Sequence, residues 1–82
     1  MQTSDPGAQI LALLTRVAPD IDPASVDPEQ ALRDQFDFDS MDALHFAAAI
    51  SEAFGIEVAQ SDSPKLASLR GATDFVKERL AK

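Results

Sequence analysis

The chain is expected to fold as an all-α domain: a small antiparallel bundle of three main helices plus one short helix, with a long loop between the first and second. Three observations predict it. Apolar residues recur at three- and four-residue steps in separate windows of the sequence. Those windows are bracketed by residues that start and stop helices. Between the first two, Pro23 and Pro28 argue against either a continuous helix or a central strand. At 82 residues the chain makes one domain, 1–82, near the lower limit for a self-sufficient core.

In the first window Asp5 can cap and Pro6 is pre-set for the first helical position, with Ile10, Leu11, Leu14 and Val17 forming the inner face until Pro19 stops the helix. Residues 18 to 38 form a connection long enough that it should be functional or internally packed, and Ile21, Val26, Leu32 and Phe36 are its candidate anchors. The second helix runs from about Ser40 to Phe54, capped by Asp39 or Ser40 and stopped by Gly55. Leu44, Phe46, Ala47, Ile50 and Phe54 are assigned to its buried side, while Met41, His45, Ala48 and Glu52 make another stripe. Ile56 and Val58 anchor the next loop. Ser63-Pro64 marks a short segment to about Ala67, and Ser68 caps a last helix with Leu69, Ala72, Val76 and Leu80 inward and Phe75 beside them. Gly71 in its first turn should cost up to ~1 kcal/mol relative to alanine. Lys77, Arg79 and Lys82 suit the negative end of that helix.

The formal net charge is −7, unevenly spread. Residues 1–39 carry eight acids and two bases, residues 40–62 four acids and no base, and residues 63–82 two acids and five bases. Phosphate backbones need a basic face, so nucleic acid is not an expected partner around Ser40; positively charged patches on other proteins are. There is no cysteine, hence no disulfide staple, no Cys-based zinc site and no thiol nucleophile. No apolar run approaches the ~20 residues of a membrane span. The stretch from Met1 to Asp5 lacks the basic start and apolar core of a signal peptide, so cytoplasm is the expected location.

The most informative segment is Asp39-Ser40-Met41-Asp42. A serine that opens a helix holds its hydroxyl at the positive end of the helix dipole, where an attached phosphate is favoured, and the flanking acids offer a partner something to grip. With Phe54-Gly55-Ile56-Glu57-Val58 following at the end of that helix, and Lys65-Leu66-Ala67-Ser68-Leu69 at the entry to the last one, the whole chain resembles the acyl carrier protein family. The resemblance implies that Ser40 receives 4′-phosphopantetheine from coenzyme A. A separate phosphopantetheinyl transferase would do the chemistry, so Ser40 is an attachment residue, Asp39 the motif's acid, and no residue here is catalytic. The arm's own thiol would hold acyl groups as thioesters, which agrees with the missing cysteine. Partners would be acyl-loading and acyl-using enzymes of fatty-acid, polyketide or related biosynthesis, engaging Met41, Asp42, His45 and Glu52 through basic docking patches. A monomer is expected.

Two departures stand out. Asp37 replaces the glycine the family commonly has three residues before the serine, and His45 falls where its fatty-acid carriers usually place an acid. Both are candidates for redirecting partner choice; Met41, for the usual leucine, conserves volume. The run Ala47-Ala48-Ala49 suits tight helix packing and also room for an inward-folding acyl chain. A calcium loop starting at Asp37 fails, because Met41 and Asp42 occupy the positions needing an oxygen ligand and a glycine. A lone histidine makes a poor metal site, and nothing else assembles an enzyme centre. An aminoacyl or peptidyl carrier and an unmodified helical interaction domain stay open as alternatives.

Overall fold

A computed structural model describes residues 6–81. The expected cap at Asp5 and the terminal charge at Lys82 lie outside the described residues. Among the described residues there are four α-helices: α1 (Pro6–Val17), the single turn α2 (Leu32–Gln35), α3 (Ser40–Phe54) and α4 (Leu69–Leu80). Two 3-10 segments, Pro23–Ser25 and Gln60–Leu66, lie in the connections. The three long helices are the expected bundle. α1 packs on both α3 and α4, and the Gln60–Leu66 segment packs on both α3 and α4 in turn.

The core is built from Ile10 and Leu14 of α1, Phe46 and Ile50 of α3, and Ala72, Phe75 and Val76 of α4, with Ile21, Leu32, Phe38 and Leu66 from the connections. The long loop is therefore internally packed. Ile21 and Leu32 are buried and Val26 and Phe36 lie against the core, as expected, and Phe38 joins them. Polar ties finish the job. Asp22 caps Pro23–Ser25 by accepting from the Ala24 N–H at 3.0 Å. The Gln35 amide makes three bonds back into the loop, to the Asp27 N–H and to the carbonyls of Asp27 and Gln30, at 2.7–2.8 Å. The Leu32 N–H donates to the Ala67 carbonyl and the Arg70 N–H to the Pro28 carbonyl, both at 2.8 Å, stitching the loop to the start of α4.

Three expectations are corrected. Leu44 is not buried but 62% exposed. Residues 44, 47 and 50 are three apart, and each such step drifts ~60° from a full helical repeat, which leaves Leu44 about 120° away from Ile50. It falls on the outer stripe instead. Leu80, the last residue of α4, is half exposed, because the buried face of this helix ends at Val76. The short segment begins at Gln60 rather than at Ser63-Pro64, because a carboxylate and not the serine starts it: Asp62 accepts from the Ala59 N–H at 3.0 Å.

Other boundaries are as read. Gly55 ends α3 with φ 65°, the left-handed conformation that side chains resist. Ser68 caps α4 by accepting from the Gly71 N–H at 3.0 Å. Gly71 itself is not the weak point its helix propensity implies. A Cβ there would drive into the Lys65 carbonyl oxygen, so the close approach of the 3-10 segment to α4 requires a glycine.

Candidate functional site

Ser40 is the first residue of α3 and is exposed. Its position is set by two flanking devices. On the N-terminal side, Phe38 is buried and meets Phe46 edge-to-face, with ring centroids 6.1 Å apart and planes at 87°. That contact pins the chain two residues before the serine. On the C-terminal side, Asp39 and Asp42 form a reciprocal cap: the Asp39 carboxylate accepts from the Asp42 N–H at 2.9 Å, and the Asp42 carboxylate accepts from the Asp39 N–H at 3.3 Å. Both acids of the motif are thus tied to the helix start, and the Ser40 hydroxyl is left out of the cap.

Asp37 is accommodated without strain. The Phe38 N–H donates to the Phe36 carbonyl at 2.8 Å, so Asp37 is the centre of a three-residue turn. Among the described residues no side-chain-bearing residue has a positive φ, so the turn is of the kind open to any L-residue. The exposed carboxylate nevertheless adds a third acid close to Ser40.

Beside Ser40 opens a cleft of about 530 Å³. Phe38, Ala43, Ala47, Pro64, Leu66 and Ala67 make its lining largely apolar, and Asp39, Ser40 and Arg33 line it too. One side is α3 and the other is the Gln60–Leu66 segment. That segment is held by Asp62, whose side chain is only 10% exposed and which pairs with Arg79 at 3.3 Å and Lys65 at 3.6 Å. Arg79 also stacks over the Phe75 ring, 4.7 Å from its centroid. Neither Asp62 nor Arg33 stood out in the sequence; the only hint was that Arg33 is the sole base between Arg16 and Lys65.

The remaining sequence-predicted residues share one surface. Met41, His45, Ala48 and Glu52 are exposed along α3, and Leu44 joins them. Met41 and Leu44 present large apolar side chains at 57% and 62% exposure, flanked by the half-buried Asp42. Glu52 is twelve residues from Ser40, about 18 Å along the axis, so it belongs to the far end of this surface and not to the serine. Of the alanine run, Ala47 lines the cleft, Ala48 faces outward and Ala49 lies in a second groove with Leu13, Val17 and Glu52. Among the described residues, no three carboxylate or imidazole side chains gather as a metal site would need. No described helix is long and apolar enough to cross a membrane.

A solvent-facing hydroxyl at a helix start, beside an apolar cleft, suits a covalently attached anionic group whose further atoms lie against the protein. Comparison with known proteins gives the family. A family model described as "Phosphopantetheine attachment site" matches residues 8–76. An acyl carrier protein of Thermosynechococcus vestitus is 30% identical over 61 residues, covering 74% of this chain and 75% of its own. One from Rubrobacter xylanophilus is 31% identical over 58 residues, covering 71% and 72%. The mitochondrial acyl carrier protein 2 of Arabidopsis thaliana is 30% identical over 56 residues, covering 68% of this chain and 44% of its own.

Proposed function

The chain belongs to the acyl carrier protein family, defined by its phosphopantetheine attachment site, and from that premise we propose that Ser40 is the residue that bears the arm. The family's members are carriers and not enzymes, and 4′-phosphopantetheine is their covalent cofactor. The observation that carries the assignment to Ser40 is its place: exposed, first in α3, next to the Asp39–Asp42 cap and lining the cleft.

In the attachment step, catalysed by a separate transferase, the Ser40 Oγ forms a bond to the β-phosphorus of coenzyme A. The bond from that phosphorus to the pyrophosphate bridge breaks, 3′,5′-ADP leaves, and the hydroxyl proton passes to a base of the transferase. The product phosphodiester is anionic and stands at the start of α3, where the dipole favours it by about 0.3–1 kcal/mol. The arm's thiol holds an acyl group as a thioester. Tethering keeps that group at high effective concentration for a docked enzyme.

Residues 1–82 act as one carrier domain, working as a monomer in the cytoplasm. The cargo is an acyl group, in fatty-acid, polyketide or related biosynthesis, and the acidic surroundings of Ser40 support that over an aminoacyl cargo. Partner enzymes dock on the exposed flank of α3, where Met41 and Leu44 supply apolar contact and Asp42 and Glu52 meet basic patches. His45 in the middle of that flank sets a partner range different from that of a general fatty-acid carrier. The apolar cleft lined by Ala47 supports a reading in which part of an acyl chain folds inward.

Intact mass after incubation with coenzyme A and a broad-specificity phosphopantetheinyl transferase tests the assignment. One arm is expected on the wild type and none on Ser40→Ala. An unmodified wild type with several transferases would favour the helical interaction domain.

A further inference from the structure

Among the described residues, the cleft beside Ser40 is lined by one cation, Arg33, and no ion pair to it is formed. Arg33, on the single turn α2, is exposed and lines the same cleft as Ser40. The other bases lie elsewhere in the sequence, at Arg16 or from Lys65 onward. Attachment at Ser40 adds a negative charge next to Asp37, Asp39 and Asp42, and the capping bonds of Asp39 and Asp42 leave both carboxylates beside it. The helix dipole offsets only part of that repulsion. An arginine is the side chain best shaped to grip a phosphodiester, through two parallel N–H donors.

We infer that Arg33 is a positioning residue for the arm: its guanidinium pairs with the phosphodiester on Ser40 and turns the arm toward the cleft between α3 and the Gln60–Leu66 segment. The inference rests on Ser40 being the attachment residue. It goes further in making the arm's direction a property of one side chain, with the cleft as the place it is turned to. α2 is well placed to hold that side chain, since Leu32 is fully buried and its N–H is fastened to the Ala67 carbonyl on the cleft's opposite wall.

The test loads wild type, Arg33→Gln and Arg33→Lys with the arm, confirms loading by intact mass, and follows the phosphodiester by ³¹P NMR and the Ala47 and Ala67 methyls by ¹H–¹³C NMR. In the wild type, loading should move both methyl signals. Arg33→Gln should reduce those loading-induced shifts about two- to fivefold, the scale of an exposed ion pair, and Arg33→Lys should restore part of them. Raising salt from about 50 mM to about 500 mM should weaken the shifts in the wild type and leave Arg33→Gln unchanged. Unloaded spectra of wild type and Arg33→Gln should agree away from residue 33, because the side chain is exposed. Loaded protein with equal methyl shifts and an equal ³¹P signal in all three variants overturns the role of Arg33 alone. A wild type that takes no arm overturns the Ser40 assignment and this inference with it.

Discussion

Replacing Asp62 by alanine should be among the most damaging single changes outside the apolar core. Its carboxylate accepts from the Ala59 N–H at 3.0 Å and pairs with Arg79 at 3.3 Å while 90% of its surface is covered. A hydrogen bond to a charged group of this kind contributes about 1.5–3 kcal/mol. The Arg79 pair falls between an exposed bridge, about 0–1 kcal/mol, and a buried one, whose breaking costs about 3–5 kcal/mol, because Arg79 is 35% exposed. Lys65, at 3.6 Å and 57% exposed, adds at most a few tenths. With these terms overlapping, the loss is about 2–4 kcal/mol, a large share of the roughly 5–15 kcal/mol that holds a domain together. For a domain of this size that corresponds to a fall in Tm of roughly 10–25 °C. Asp62→Asn, which keeps an oxygen for the Ala59 N–H and gives up the charge, should lose about half as much. Urea unfolding reads both as a lower midpoint at constant slope. A double-mutant cycle with Arg79→Ala isolates their coupling. An Asp62→Ala protein within ~0.5 kcal/mol of wild type would refute the view that this carboxylate fastens the cleft wall to α4.

Gly71→Ala reverses the usual sign. Helix propensity alone predicts a gain of up to ~1 kcal/mol, but the new Cβ meets the Lys65 carbonyl, and a net loss of about 1–3 kcal/mol is expected from overpacking, read by urea midpoint. Asp39→Ala should lower stability by about 1 kcal/mol through loss of the cap. It should also slow arm attachment measured by intact mass over time; unchanged stability would remove Asp39 from the capping role. His45→Glu should re-rank binding among acyl-carrier-dependent enzymes measured side by side, favouring those with arginine or lysine at the contact, and an unchanged ranking would remove His45 from recognition.

How much was legible in the sequence varies by element. Helix starts read well where the signal is local: Asp39 before α3, Ser68 before α4 and Gly55 after α3 each act on backbone groups within a turn of themselves. The position of Ser40 at the head of α3 was legible for the same reason. Anchors of the long loop were legible as isolated apolar residues among aspartates and prolines, because such residues have few alternatives to burial. Leu44 was misplaced because a three-residue spacing fits either side of a stripe, and only the position of the neighbouring helices decides which side is dry. Asp62 looked like one more surface acid in an acidic chain, and its burial depends on Arg79 arriving from seventeen residues away.

The sequence by itself determined the three long helices, the caps of α3 and α4 and the serine at the head of α3, since those follow from interactions between residues one to four apart. The tertiary structure alone decided the cleft beside that serine, the exposure of Leu44 beside Met41, and the need for glycine at position 71. Each of these is a matter of how closely distant segments approach, and approach distance is fixed by packing, which local spacing does not encode.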